Sequence, residues 1–300
     1  MSALTWLVAV PAAIGAAASF GGAGFLQHQA ARSAPESGPL QPTLLVQLVQ
    51  IPRFRYSVVL SALGFVLQVL ALRFAPLPVV QPLLVTGVLF YLLFARLTMR
   101  KKLDRLIVLA AVLALLGLSA FLLVARPRSG HEHIGPWDAV WLGIALVAAV
   151  AVCLSISKGL PDEWSVVPIA IATACCYGAT AGLVRSLLIS GELHEFFLQW
   201  QLYAIIVVAP AGFLLNQHAF QEGAFGSVAV ATINVGDPIV SILIGLLWLG
   251  DSLSPGLWRT FGEVVALVAM AGGVSILANR AQTVADELRR EPGASLEQAT

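Results

Sequence analysis

Charged residues are scarce in this sequence. They occupy 11% of its 300 positions, whereas they make up about 25% of an ordinary soluble domain. The 17 Lys and Arg residues are balanced by 16 Asp and Glu residues, so the chain lacks the basic excess typical of nucleic-acid-binding proteins. These shortages exclude an ordinary soluble domain and give no reason to expect a nucleic-acid partner.

The sequence also lacks the motifs of common enzymes. It contains no phosphate-binding P-loop, dinucleotide fingerprint, HExxH zinc motif or nucleophile elbow. Its three cysteines, Cys153, Cys175 and Cys176, lie in apolar segments and show neither metal-ligand spacing nor an even disulfide set. We therefore predict that the protein is not an enzyme and needs no cofactor. No loop is large enough to be the motor domain of an ATP-driven pump.

Long apolar segments dominate the chain, which is 58% hydrophobic. A bilayer core of ~30 Å requires ~20 apolar residues in a helix. Nine segments satisfy this requirement, and they lie at about 4–27, 56–75, 77–97, 104–125, 137–157, 165–189, 200–221, 225–249 and 258–279. We predict an all-α, polytopic membrane protein with about nine transmembrane helices. The first segment has no basic residue before it, so we interpret it as a retained helix and not as a secretory signal.

The basic residues of the connections predict how the chain is oriented. Twelve Lys and Arg residues fall on one side of the predicted spans and five on the other. Because cytoplasmic connections carry the excess, we expect a multi-pass protein of the plasma membrane with its N-terminus outside and its C-terminus inside. The segment at 38–55 is too short to span and is expected to be interfacial, and 281–300 is expected to be a cytoplasmic tail.

The two halves of the chain resemble each other weakly. The tripeptide SFG at 19–21 resembles CYG at 176–178, Gly64 and Gly212 are each followed by Phe, and Pro82 resembles Pro238. Four spans, one linker span and four further spans make the second set enter the membrane from the opposite side. Such inverted repeats are common in secondary transporters. We predict a first repeat at 1–125, a linker helix with its loops at 126–164 and a second repeat at 165–280.

Asp237 lies at the centre of the apolar stretch from Phe225 to Leu249. A carboxylate at that depth costs roughly 2.5–3.5 kcal/mol on insertion scales, and such residues usually face the interior of a bundle or a water-filled path. Asn234, Asp237 and Ser241 are spaced i, i+3, i+7 and therefore share one face of the helix. Pro238 removes a hydrogen bond of the same helix and opens a carbonyl one turn earlier. This pattern predicts a binding site near the middle of the membrane.

Polar residues of other spans extend the candidate site. Gln68, Gln81 and Asn216 are expected to supply hydrogen bonds. Asn216 and its two successors fan over ~200° and cannot all face one cavity, and Asn216 is preferred because it matches Gln68 in the repeat. A proton carrier is one interpretation of His218, whereas His28 either lines the inner mouth or lies at headgroup level. Two arginines are candidates either for the site or for a structural ion pair with the aspartate. The candidate set is Asp237, Asn234, Asn216, Gln68, Gln81, Ser241, His218, Arg185, Arg73 and His28.

Several short motifs resemble the drug/metabolite transporter superfamily. CCYGAT at 175–180 is similar to the small-residue, aromatic-rich opening helix of that superfamily. DPIV at 237–240, followed by LGDSL at 249–253, is similar to its Pro-containing helix and terminal acidic turn. FAP at 74–76, VVQPL at 79–83 and LLNQHAF at 214–220 resemble the NIPA-type magnesium-transporter branch. The resemblance implies a membrane transporter with two inverted halves around a central cavity.

Three functions remain open on the sequence. The first is a secondary transporter that moves a small polar solute by alternating access, with Asp237 binding a cationic group or exchanging a proton. The second is a divalent-cation carrier or channel, although magnesium prefers several oxygen ligands, usually including carboxylates, and only Asp237 is deeply placed. The third is a non-transporting membrane scaffold, which a dry and fully paired interior would support. The expected partners are a small-molecule or ion substrate and the lipid bilayer, and both a monomer and a homodimer fit the sequence.

Overall fold

We describe a computed structural model of the chain. It covers residues 5–31, 43–99, 105–126, 128, 130, 136–190, 197–221, 226–253 and 256–290. The first part of the predicted interfacial segment, 38–42, and the last part of the predicted tail, 291–300, therefore lie outside the described residues. Within them the fold is helical, and the one pair of residues joined as in a sheet is Arg128 with Ser252.

A π-helical turn over Thr5–Ala9 leads into eleven helices. These are α1 (Val10–Ala31), α2 (Thr43–Val49), α3 (Pro52–Phe74), α4 (Leu77–Leu84), α5 (Gly87–Met99), α6 (Arg105–Ala125), α7 (Pro136–Gly159), α8 (Asp162–Ser190), α9 (Trp200–Gln221), α10 (Gly226–Trp248) and α11 (Leu257–Arg290). The prediction of an all-α protein is confirmed.

Seven helical stretches of the described chain are long and apolar enough to cross a membrane. They are Leu7–Ala30, Pro52–Phe74, Leu77–Phe94, Trp137–Gly159, Trp164–Ile189, Trp200–Phe220 and Leu257–Ile276. The other two predicted spans correspond to α6 and α10, whose apolar parts are shorter over the described residues, Val112–Ala125 and Thr232–Trp248. The protein is therefore a multi-pass membrane protein.

The third predicted span is divided, and this corrects the expectation of one helix over 77–97. Helix α4 ends at Leu84, a turn follows at Val85 and Thr86, and α5 begins at Gly87. Pro82 lies inside α4 and cannot donate a backbone hydrogen bond, which weakens the helix at this point. The Thr86 hydroxyl donates to the Leu83 carbonyl at 2.7 Å and completes the turn.

The helices pack in a regular order. Helix α1 packs against α3 and α5, whereas α8 packs against α9 and α10. Two further pairs join these groups, α1 with α9 and α3 with α8, and α6 packs along α11. Helix α7 makes its extensive contacts with α8, and only 6% of its apolar stretch is buried among the described residues. It therefore lies at the periphery of the bundle.

The two ends of the bundle differ in what covers them. We call the end that contains the turn between α3 and α4 the Pro76 end, and the opposite end the α2 end. At the α2 end, Leu48 and Phe54 are fully buried and form an apolar cluster with Ala30 of α1 and Phe220 of α9. The described part of the predicted interfacial segment thus packs over the ends of two long helices.

Candidate functional site

Helix α10 brings Asp237 into close contact with α8. A Cβ atom added to Gly178 of α8 would lie 2.7 Å from the Val240 side chain and 3.0 Å from the Asp237 carbonyl oxygen. One turn further along, a Cβ on Gly182 would lie 2.5 Å from Ile244. Only glycine permits so close an approach, so the GxxxG pair places the backbone of α8 directly against α10 at the level of Asp237.

The Asp237 carboxylate has no protein partner for one of its oxygens. The residue is half-buried, and its Oδ1 is shielded from solvent and makes no hydrogen bond with any described residue. Ser241 does not supply the missing bond, because its hydroxyl donates to the Asp237 carbonyl at 2.7 Å. A buried acceptor without a partner costs about 1–3 kcal/mol. Among the described residues, this oxygen therefore has no protein group that offsets its burial.

Gln81 of α4 has the same property to a greater degree. It is fully buried, and neither its Nε2 nor its Oε1 finds a partner among the described residues. Gln81 precedes Pro82 as Asp237 precedes Pro238, and both pairs are 156 positions apart. The 156-residue spacing that relates Pro82 to Pro238 therefore also relates Gln81 to Asp237, and both of these polar side chains have unpartnered atoms.

Helices α4 and α10 run antiparallel and contact each other. Leu77, at the start of α4, lies 3.3 Å from the position that a Cβ on Gly245 would occupy. Gln81 lies four residues after Leu77, which corresponds to about 6 Å along α4 at ~1.5 Å per residue. Gln81 is therefore level with Ser241 of α10. The register of the two helices therefore places Gln81 about one helical turn from the level of Asp237.

The other candidates for hydrogen bonding lie on neighbouring helices. Asn234 and Gln68 are half-buried on α10 and α3, and Asn216 is 7% exposed on α9. The two residues after Asn216 are buried as well, Gln217 at 0% and His218 at 6% exposed. Burial therefore does not distinguish Asn216 from its two successors, because the end of α9 is enclosed on every side.

Polar side chains form a network at the α2 end. Gln217 donates from Nε2 to the Gln27 Oε1 at 2.9 Å, and Gln27 donates in turn to the Ser61 hydroxyl at 2.9 Å. The network joins α9, α1 and α3. The sequence pattern does not select Gln217 because its neighbours are equally polar, and only its position opposite α1 distinguishes it.

His28 belongs to the same end of the bundle and not to the surroundings of Asp237. Its Nδ1 lies 2.7 Å from the Tyr91 hydroxyl of α5, and its ring stacks on Phe220 with centroids 5.7 Å apart. Sequence reasoning missed Tyr91, which is one aromatic residue in an apolar helix. These contacts tie α1 to α5 and α9.

The two candidate arginines lie at the Pro76 end. Arg73 of α3 donates from Nη1 to the Leu188 carbonyl of α8 at 2.7 Å, and Arg185 of α8 donates from Nη1 to the Leu72 carbonyl of α3. The two bonds are reciprocal and join the C-terminal ends of α3 and α8, where cations are favoured by the helix dipole. No ion pair between Asp237 and either arginine occurs among the described residues.

Asp251 completes the Pro76 end. It is 4% exposed, and its Oδ2 accepts from the Leu77 amide of α4 at 3.3 Å while its Oδ1 accepts from the Gly130 amide at 2.8 Å. The carboxylate therefore holds the first turn of α4, the helix that carries Gln81, to the segment between α6 and α7. In the sequence this residue stands out only as part of an acidic turn.

Comparison with known proteins identifies a relative but no family. No protein-family model matches the chain, and no solved structure matches it. An uncharacterized protein of Corynebacterium glutamicum is 24% identical over 269 residues, which cover 88% of this chain and 92% of that protein. The similarity extends over nearly the whole length of both proteins.

Proposed function

We propose that the protein is a secondary transporter that moves a small polar solute by alternating access around Asp237 and Gln81. The observation that carries this proposal is the pair of shielded polar side chains with no protein partner, each beside a proline in a helix of the bundle interior. Buried polar groups are almost always paired in folded proteins. Shielded atoms without a partner also occur elsewhere in the described chain, for example in Gln201 and Glu263. Gln81 and Asp237 differ from these because they are 156 positions apart and each precedes a proline, and this relation favours a ligand as their missing partner.

The packing of α6 on α11 supports an inverted repeat. A Cβ on Gly117 would lie 2.8 Å from the Ala266 carbonyl oxygen and 2.5 Å from the Met270 amide. A Cβ on Gly273 would lie 2.7 Å from the Ala110 carbonyl oxygen and 2.6 Å from the Ala114 amide. Each residue of one helix is 156 positions from its counterpart in the other, the spacing that also separates Pro82 from Pro238. A reciprocal contact of this kind is what a two-fold axis between the helices produces.

The contacts of the two small glycine motifs support the same symmetry. A Cβ added to Gly64 would lie 2.8 Å from the ring of Phe20, and a Cβ added to Gly212 would lie 3.1 Å from the ring of Tyr177. In the sequence, Gly64 corresponds to Gly212 and the SFG tripeptide corresponds to CYG. Together with the peripheral α7, these contacts favour nine spans in two inverted halves joined by α7.

The two closed ends fit a protein that opens one side at a time. The 12 to 5 division of basic residues favours a cytoplasmic α2 end and an external Pro76 end. The arginine bonds between α3 and α8 would then close the outside, and the glutamine network with the His28–Tyr91 pair would close the inside. Rocking of the two halves would break one set of bonds while keeping the other.

The other two functions that the sequence left open have less support. A magnesium site needs several oxygen ligands, and no group of three His, Cys, Asp or Glu side chains in the described chain could hold a metal ion. A scaffold has no need for buried polar groups without partners. The resemblance to the drug/metabolite transporter superfamily agrees with a transporter, and uptake of magnesium tests the NIPA-type branch.

The test uses purified protein in proteoliposomes and two matched variants. Asp237→Asn keeps the shape of the side chain and removes its charge, and Asp138→Asn makes the same change at an exposed position on the peripheral α7. We expect one or more of the labelled amines, amino acids, nucleosides and Mg²⁺ to be taken up by the wild type and by Asp138→Asn, and not by Asp237→Asn. Uptake that survives in a folded Asp237→Asn protein would refute the role of this residue.

A further inference from the structure

We infer that the site accepts a small organic cation that carries an N–H-bearing ammonium group and a neighbouring neutral oxygen, as in an amino alcohol. This inference rests on the proposed function, because it names the substrate class of the same site. It follows from the hydrogen-bonding capacity of Gln81 and Asp237, from the charges around them and from the room between the helices.

The unpartnered atoms define what a ligand must offer. Oδ1 of Asp237 and Oε1 of Gln81 accept hydrogen bonds, and Nε2 of Gln81 donates them. A complementary ligand therefore carries at least two donors and one acceptor. An ammonium group provides the donors and a hydroxyl oxygen beside it provides the acceptor, so that both side chains are satisfied by one molecule.

The charge around the site selects a ligand with a net charge of +1. Asp237 makes no ion pair with a described residue, and the two candidate arginines, Arg73 and Arg185, bond to carbonyl groups at the Pro76 end. A single positive charge on the ligand would balance the carboxylate in a medium where unpaired charge is costly. A zwitterion would bring a second carboxylate that no described cation near Asp237 balances.

Close packing limits the size of the ligand. A Cβ added to Gly178 or Gly236 would lie within 3.0 Å of atoms on the facing helix, so α8 and α10 leave little space between them. A ligand of a few heavy atoms fits this limit better than a large drug.

The experiment measures ligand affinity from the rise in melting temperature of the purified full-length protein. Ethanolamine is the probe. Ethylammonium lacks its oxygen, choline lacks N–H donors, ethylene glycol lacks charge, and Mg²⁺ tests the divalent alternative. We expect ethanolamine to bind at least about tenfold more tightly than choline or ethylene glycol, because a charge-assisted hydrogen bond is lost in each. Equal affinity for choline, or tighter binding of Mg²⁺, would overturn the inference.

Gln81→Met gives the sharper comparison, because it keeps the length of the side chain and removes its polar atoms. In the wild type, ethanolamine should bind several-fold more tightly than ethylammonium, and in Gln81→Met the two should bind equally. Gln50→Met, at an exposed position of the α2 end, should preserve the wild-type preference. A preference that persists in Gln81→Met would refute the assignment of the oxygen to Gln81, and this outcome does not depend on whether Asp237→Asn folds.

The two proposals can fail separately. If ethanolamine binds with the expected selectivity but no solute of the panel enters proteoliposomes, the substrate class is supported and the transport function is refuted. If a different solute is transported in an Asp237-dependent manner and ethanolamine does not bind, transport is supported and the amino-alcohol class is overturned.

Discussion

Asp251 allows a sharp test of how the Pro76 end is held together. We predict that Asp251→Asn lowers the free energy of unfolding although it changes neither the size nor the shape of the side chain. The aspartate accepts two backbone hydrogen bonds, from Leu77 at 3.3 Å and from Gly130 at 2.8 Å. An asparagine offers one oxygen and one NH₂ group, so it can accept from one of the two amides and presents a donor to the other.

The magnitude follows from these two bonds. The substitution removes a hydrogen bond to a charged acceptor, worth about 1.5–3 kcal/mol, and leaves a buried amide facing another donor, which costs about 1–3 kcal/mol. The two contributions overlap, since both concern the same amide, so we expect a loss of about 3 kcal/mol in total. Because Asp251 is 4% exposed, screening by solvent reduces this value little.

The assay is reversible unfolding in mixed detergent micelles, with Asp138→Asn as the control. Asp138 is exposed at the start of α7, so its substitution should change the stability by less than about 0.5 kcal/mol. A loss below about 1 kcal/mol for Asp251→Asn, less than one hydrogen bond to a charged group contributes, would show that the carboxylate does not hold α4 in the way described. Equal losses in both variants would show that removal of negative charge at this end, and not the pair of hydrogen bonds, determines the effect.

Two further predictions concern the packing of the halves and the closure of the α2 end. Gly117→Ala should destabilise the protein by about 1–3 kcal/mol through overpacking, because the new Cβ would lie 2.5 Å from the Met270 amide. The control, Gly143→Ala, places a Cβ in open space on α7 and should be neutral or slightly stabilising. Tyr91→Phe should cost about 0.5–1.5 kcal/mol, because it removes the hydroxyl 2.7 Å from His28. Both losses are measured by unfolding in mixed micelles, and a Gly117→Ala protein as stable as Gly143→Ala would contradict the close crossing of α6 and α11.

Much of the architecture could be predicted because hydrophobic length is a local property of the sequence. Each of the nine apolar segments corresponds to a helix or a helix pair in the structure. The division of the third span was missed, although Pro82 was recognised, because a proline inside a membrane helix is compatible with either a kink or a turn. The backbone bond from the Thr86 amide to the Leu83 carbonyl shows the turn, and such a bond is visible only in three dimensions.

The candidate residues could be selected from the sequence, but their grouping could not. Polar side chains in apolar helices are conspicuous in a sequence. All eight candidates other than the two arginines are at least half-buried in the structure. The sequence offered no way to know that Arg185 reaches Leu72, 113 positions away, because such bonds depend on which helix ends meet. It also gave no sign that Gln81 and Asp237 share the absence of a partner, which requires knowledge of every neighbouring atom.

The differences between the two halves bear on the proposed mechanism. In an inverted repeat the positions of Gln81 and Asp237 are equivalent, and so are those of His28 and Arg185, which are 157 positions apart. If the members of each pair were identical, the states open to either side would have nearly equal free energies. In this chain, however, the amide of Gln81 is equivalent to the carboxylate of Asp237. The imidazole of His28, stacked on Phe220, is equivalent to the guanidinium of Arg185, which bonds to a carbonyl. On the proposed mechanism the relative stability of the two states is therefore set at these few positions.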